Sequence, residues 1–175
     1  VVGDYFISLE QLDRIHILKT ASLFKWCLRA PFTALNNDDP KLHNLLEEMG
    51  KILGQLFQRS DDLLDFDIRN QEGKAVLGDL KSGYLNSFGA FLTKDMPREK
   101  IDILIRSQTL EQLHQALGGK SIFDSKVSDF DKLNQQLIEL YHHYLGELGK
   151  IVSEPSLKKD LGGLTDILYW RRKPS

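Results

Sequence analysis

The sequence is poor in several residue types that mark particular classes of protein. It has one cysteine, Cys27, in 175 residues, which excludes an internal disulfide framework and is typical of a reducing compartment such as the cytoplasm. No apolar run approaches the roughly 18 residues that a membrane-spanning helix requires. The 23 Lys and Arg against 25 Asp and Glu give a net charge of −2. This balance lacks the basic excess of nucleic-acid-coating proteins and polybasic membrane binders.

What is present is the composition of an ordinary globular domain. Hydrophobic residues make up 41% and charged residues 27%, enough apolar side chains for one sizeable core. The chain begins with Val1 and Val2, without an initiator Met, a basic leader or a signal-type apolar segment. We therefore expect the interior of a longer polypeptide, or a processed product, in place of a complete protein.

Helix signals dominate the chain. Ser8 and Gln11 have the spacing of a capping box, and the apolar residues that follow predict a helix to about Phe32. Because that helix is apolar almost all round, we expect it near the centre of the fold, with Cys27 as a small buried residue. Pro40 opens a second helix, to about residue 68, whose leucines keep a three-and-four spacing.

Further helices are predicted along the rest of the chain. We expect them over residues 79–92, 97–107, 109–118 and 128–152, with a last one after Pro155. Strand evidence is thin, because short apolar pieces such as residues 101–105 fit the helix period as well as the strand period, and no Asn-Gly or Asp-Gly hairpin turn occurs. The sequence therefore predicts a single all-α domain.

The second predicted helix carries an acidic stripe. Asp61, Asp62 and Asp65 fall within an arc of about 100°, and Gln58 lies in the same arc. One interpretation is a solvated polar face. However, aspartate is a poor helix former, and like charges three and four residues apart cost about 0.2–0.5 kcal/mol each. Clustered carboxylates are suited to Mg²⁺, which typically bridges to substrate phosphates.

Lysines in two places suit phosphate binding. Lys19 projects from an apolar stripe of the first helix beside Thr20, and Lys74 lies in a glycine-flanked loop after the acidic helix. A snorkelling lysine and a solvated loop lysine are the alternative interpretations. Carboxylates for metal and lysines for phosphate together indicate a diphosphate site.

Several segments resemble the trans-isoprenyl diphosphate synthases. The run from Lys19 through Thr20 to Phe24 is similar to that family's Lys-Thr helix. Residues 50–65, with Phe57-Gln58 before the aspartates, closely resemble its second aspartate-rich motif. The segment from Gly73-Lys74 to Asp79-Leu80 and the chain end from Leu164 to Lys173 follow in the family's order.

The resemblance implies the later helices of an isoprenoid-synthase-type helical bundle, that is, the C-terminal part of one domain. It implies a head-to-tail condensation of isopentenyl diphosphate with an allylic diphosphate, dependent on Mg²⁺, by a cytoplasmic homodimer. The residues implied in these roles are as follows: metal ligands Asp61, Asp62 and Asp65; diphosphate contacts Lys19, Thr20, Gln58, Lys74 and Lys81; and catalytic groups Lys19, Asp61 and Asp62.

Two departures from the family pattern leave alternatives open. The family's first aspartate-rich motif is absent, so we expect it upstream or on another chain and expect these 175 residues alone to be inactive. Tyr84 stands where the family has a lysine, with Lys81 nearby as a substitute. These departures favour a regulatory or partner subunit that binds diphosphate without turnover. A terpene-synthase-like lyase is the third interpretation, and the Lys-Thr helix and the aspartate motif favour the synthase over it.

Overall fold

A computed structural model describes residues 6–67 and 76–170 of the chain. Its first helical stretch comprises α1 (Leu9–His16), a π-helical turn (Ile17–Ala21) and α2 (Ser22–Ala34). Ser8 N donates to Gln11 Oε1 (2.8 Å) and Gln11 N donates to Ser8 Oγ (3.2 Å), which confirms the predicted capping box. The long helix α3 spans Pro40–Leu64 and begins at the predicted proline.

Seven further helices follow in the described part of the chain. They are α4 (Gly78–Lys81), α5 (Ser87–Thr93), α6 (Arg98–Leu104), α7 (Leu110–Leu117), α8 (Lys120–Ile151), α9 (Pro155–Gly162) and α10 (Leu164–Tyr169). The described residues contain no strand, so the all-α prediction is confirmed. Within the same residues, no helix is both long enough and apolar enough to cross a membrane.

The chain divides into two compact units. The first unit comprises residues 1–13 and 61–133. Its core is aromatic and centres on the fully buried Phe88, whose ring lies 5.0 Å from that of Phe66, 5.8 Å from that of Phe123 and 5.2 Å from that of Phe130. Edge-on and tilted ring pairs of this kind contribute about 0.5–1.5 kcal/mol each beyond the area that they bury.

The second unit comprises residues 14–60 and 134–175. Its core is built from the apolar stripe of α3 and from residues of α8 and α10. The buried members include Leu42, Leu46, Met49, Leu53, Leu56, Tyr141, Leu148 and Tyr169. The three-and-four spacing recognised in the sequence therefore marks the face of α3 that is buried.

The burial predicted for the first helix is wrong. Helix α2 contains no buried residue, and Leu18, Leu23 and Trp26 are 79%, 62% and 67% exposed. Cys27 is exposed as well, contrary to the prediction of a small buried residue. An all-round apolar pattern does not specify which face will be covered, and here the described residues bury only Leu12, His16 and Ala21 of this stretch.

Three helix boundaries also differ from the sequence predictions. The helix expected over 79–92 is two helices, because Gly83 adopts a φ of 79° and Asn86 starts a new helix. Helix α8 begins at Lys120, eight residues before the earliest predicted start, where Phe123 joins the aromatic core. Helix α3 ends at Leu64, short of the expected residue 68, which lies outside the described residues.

Candidate functional site

The aspartates at the end of α3 differ in burial. Asp62 and Asp65 are 3% and 6% exposed, whereas Asp61 is partly exposed. The interpretation of a solvated acidic face is therefore wrong for two of the three residues. A carboxylate that is removed from water needs hydrogen-bond donors or positive charge.

Asp62 is held by the start of helix α5. Its Oδ2 accepts hydrogen bonds from the backbone N–H of Ser87 (2.8 Å) and from the Ser87 hydroxyl (2.5 Å). Bonds from donors to an ionised carboxylate are roughly twice as strong as those between neutral groups. Asp62 therefore joins the acidic helix to the start of α5, 25 residues later in the chain.

Asp65 performs the same task one turn later, at the start of α4. Its carboxylate accepts hydrogen bonds from the N–H of Gly78 (2.7 Å) and of Asp79 (3.3 Å to Oδ2). Burial raises the pKa of Asp65 from 3.8 to about 6, and the nearby carboxylate of Asp79 adds to this increase. Burial and the Asp79 carboxylate together thus outweigh the stabilisation that the two N–H donors give to the charged form of Asp65.

Asn86 completes this cluster, and the sequence analysis missed it. Its amide nitrogen donates to Asp79 Oδ2 (3.0 Å) and to the carbonyl of Asp62 (3.2 Å), and its Oδ1 caps α5 by accepting from Gly89 N (3.0 Å). An Asn-Ser pair directly before an apolar segment is a helix-start signal that would have identified the cap. Its partners on α3 and α4 depend on tertiary structure.

The Lys-Thr pair lies in an irregular part of the first helical stretch. Lys19 and Thr20 belong to the π-helical turn Ile17–Ala21, a local widening that is often found at functional sites. The hydroxyl of Thr20 donates to Gln58 Oε1 at 3.4 Å, so two predicted diphosphate contacts are brought together. Lys19 is exposed.

A glycine on α3 sets the distance to that turn. A Cβ placed on Gly54 would lie 2.5 Å from Ala21 Cα, closer than real Cβ atoms approach a neighbouring backbone. Only glycine permits this crossing. The close approach positions Thr20 for its bond to Gln58, one turn along α3 from Gly54.

The structure describes only some of the other positions that were predicted to contact the diphosphate. Lys81 is exposed and donates from Nζ to the carbonyl of Val76 (2.9 Å). Tyr84, at the position of the family's lysine, is 44% exposed. Lys74 lies outside the described residues, as do the basic residues at the chain end.

The donor chemistry of these carboxylates fits a hard divalent cation. In residues 6–67 and 76–170, no group of three or more His, Cys, Asp or Glu residues is arranged to hold a metal ion. Mg²⁺ does not require such a group, since it is usually bound through one or two carboxylates with waters and substrate phosphates as the other ligands. Burial first, and the Asp79 carboxylate second, raise the pKa of Asp65, and a bound cation would favour the charged form of this carboxyl.

Comparison with known proteins identifies the family. A farnesyl diphosphate synthase from Micrococcus luteus is 32% identical over 99 residues, 54% of this chain and 34% of that protein. A farnesyl diphosphate synthase from Buchnera aphidicola subsp. Schizaphis graminum (strain Sg) is 33% identical over 70 residues, 39% of this chain and 24% of that protein. The matched parts thus span about a third and a quarter of these relatives. No solved structure matches. The polyprenyl synthetase family model matches residues 3–118, about two thirds of the chain, and the chain therefore belongs to that family.

Proposed function

We propose that this chain forms part of a Mg²⁺-dependent prenyltransferase that condenses isopentenyl diphosphate with an allylic diphosphate to make a polyprenyl diphosphate. The main support is the acidic end of α3, where carboxylates are concentrated despite burial, on the helix that also carries Gln58. In such a reaction the allylic C–O bond breaks and diphosphate leaves with the electron pair. A new C–C bond forms to isopentenyl diphosphate, and a proton is lost.

The acidic residues are proposed to have different tasks. Asp61 is the most accessible of the three and is the first candidate for a Mg²⁺ ligand. Asp62 and Asp65 are proposed as further ligands that also fix the starts of α5 and α4 through the bonds described above. Bound Mg²⁺ would neutralise the diphosphate and make it a better leaving group.

The chain's own polar and basic residues are proposed to hold the diphosphate. Lys19 supplies a point charge, and Thr20 and Gln58 supply a pre-arranged pair of hydrogen-bonding groups. Lys74 and Lys81 are proposed as further cationic contacts. The catalytic roles fall to Lys19, Asp61 and Asp62, because these groups would stabilise the charge that develops on the leaving diphosphate.

The remaining parts of the proposal concern the whole protein. The first aspartate-rich motif is not found in these 175 residues, so we propose that another segment or chain supplies it and that the 175 residues bind diphosphate without turnover. We also propose a cytoplasmic homodimer. Size-exclusion chromatography with light scattering should give twice the monomer mass; a monomeric mass across micromolar concentrations would contradict the dimer.

Substitution of Asp61 tests the metal-dependent step. Calorimetric titration with inorganic pyrophosphate should show binding that requires MgCl₂ and is abolished by EDTA. The variant Asp61→Ala should weaken this binding at least about tenfold, because removing even a supporting group of a metal site costs about 10–100-fold in affinity. Asp102→Ala, at another partly exposed helical aspartate on α6, is the control and should leave the affinity unchanged.

Turnover is tested with the full-length gene product. We expect radiolabelled isopentenyl diphosphate to be incorporated into longer products when an allylic primer and Mg²⁺ are present. Retained Mg²⁺-dependent pyrophosphate binding with no elongation from any primer length would instead identify a non-catalytic subunit. Equal affinities for Asp61→Ala and the unchanged chain would remove Asp61 from the site.

A further inference from the structure

A buried polar network links α3, α8 and α10 within the second unit. Arg59 Nη1 donates to Asn134 Oδ1 at 2.8 Å, and Asn134 Nδ2 donates to the hydroxyl oxygen of Tyr169 at 2.9 Å. Arg59 is 5% exposed, and Asn134 and Tyr169 are fully buried. Buried polar groups that are linked in this way hold their neighbours in one arrangement, because a broken link leaves an unsatisfied group away from water.

The backbone of Tyr169 is held as well as its side chain. The Ser60 hydroxyl donates to the Tyr169 carbonyl at 3.0 Å, and Ser60 is fully buried. Tyr169 of α10 is thus linked to α3 at two points: its carbonyl accepts directly from Ser60, and its hydroxyl is linked to Arg59 through Asn134 of α8. A double attachment of this kind resists rotation of α3 about its own axis, which a single bond would not.

The hydrogen bonds of Arg59 and Ser60 lie on the side of α3 that faces away from Gln58, the proposed diphosphate contact. At about 100° per residue, the mean direction of Arg59 and Ser60 lies about 150° from that of Gln58. A helix with its side chains has a radius of about 5–6 Å, so a rotation of about 10° moves a side-chain end by about 1 Å. Displacements of about 1 Å at a reacting centre can lower a rate about 100-fold.

We infer that Tyr169 is a positioning residue. It acts on α3 directly through Ser60, and through Asn134 on Arg59, to set the rotation of that helix and therefore the place of Gln58 and its partner Thr20. The inference rests on the proposed function, since Gln58 is assigned there to the diphosphate. None of the sequence patterns indicated this role. Tyr169 is 111 residues from Gln58 in the chain, and only the fold brings α10 to α3.

The variant Tyr169→Phe tests this role, with a matched control in the same unit. Tyr141 is also fully buried, and its hydroxyl donates to the Leu161 carbonyl at 2.9 Å, so Tyr141→Phe removes one comparable buried hydrogen bond on α8. The dissociation constant for inorganic pyrophosphate with MgCl₂ is measured by calorimetry for both variants, together with the melting temperature. Tyr169→Phe should weaken binding at least about fivefold, and Tyr141→Phe should lower the melting temperature similarly without changing the affinity.

A second variant keeps the test decisive. Ser60→Ala removes the other attachment and should also weaken pyrophosphate binding while the chain remains folded by circular dichroism. The inference is overturned if the two tyrosine variants weaken binding equally, or if Tyr169→Phe and Ser60→Ala both bind like the unchanged chain. Absence of pyrophosphate binding by the unchanged chain is a separate outcome, which overturns the proposed function and this inference with it.

Discussion

The two helical stretches that carry the candidate site residues are supported very differently by the rest of the chain. Helix α3 buries an unbroken apolar stripe, including Leu46 and Leu53, and its polar residues near the end are held by hydrogen bonds. Helix α2 is richer in apolar residues all round, yet buries none of them. A one-sided pattern directs a helix onto a core, whereas total hydrophobicity does not.

The largest expected difference between α3 and α2 is the loss of stability when one leucine in each helix is shortened to alanine. Leu53 on α3 is 1% exposed, so Leu53→Ala should lower the free energy of unfolding by about 2–5 kcal/mol through lost burial and the cavity that remains. Leu23→Ala on α2 should change it by less than about 0.5 kcal/mol, because Leu23 is largely exposed. Urea unfolding measures both. Similar losses would show that α2 is covered in solution.

A smaller effect is expected where the two stretches touch. The variant Gly54→Ala should destabilise the chain by about 1–3 kcal/mol, because its Cβ would meet the backbone at Ala21. The control is Gly146→Ala on α8, where, among the described residues, no atom apart from the adjoining residues and backbone of its own helix lies within 4 Å of the added Cβ. There alanine should stabilise the helix by about 0.5–1 kcal/mol. Thermal unfolding distinguishes the two, and an equal gain for both variants would contradict the close crossing.

The last expected effect is a pH dependence at the end of α3. Because the pKa of Asp65 is about 6 in the folded chain and 3.8 in the unfolded chain, the folded state holds this proton more tightly between these values. Stability should therefore fall as pH rises from about 4 to about 6, by no more than about 1.4 kcal/mol per pH unit, and then level off.

The variant Asp65→Asn isolates that contribution. Urea unfolding in EDTA across this pH range should give a flatter curve for Asp65→Asn than for the unchanged chain, whereas Asp102→Asn should leave the slope as it was. Parallel curves for the unchanged chain and Asp65→Asn would show that the raised pKa of this carboxyl does not govern the slope.

Local signals in the sequence predicted most of the helices. The Ser8 and Gln11 box, Pro40 at the start of α3 and Thr109 before α7 all occupy the positions that were expected from capping chemistry. The early start of α8 was not predicted, because no capping side chain marks it in the sequence. The beginning of this helix is supported instead by Phe123, which lies in the aromatic core. Local propensity yields to tertiary packing at such sites.

The candidate site was predictable only in part. The aspartate spacing and the Lys-Thr pair were recognised from sequence, and the structure joins Thr20 to Gln58, which were both predicted as diphosphate contacts but not as partners of each other. The partners of Asp62 and Asp65 were not recognised, since Ser87 and Gly78 are 25 and 13 residues away along the chain. A residue's spacing indicates which face of its own helix it occupies and does not indicate what lies opposite.

The sequence by itself therefore determined the all-α class, the helix starts that depend on caps, the buried stripe of α3 and the family resemblance, which the family comparison confirmed. These features follow from short-range periodicity and from motifs of a few residues. Only the tertiary structure decided that α2 stays exposed, that two of the three aspartates are buried, and that Tyr169 is bound to α3. Burial and long-range hydrogen bonding depend on which distant segments meet, and no local pattern encodes that choice.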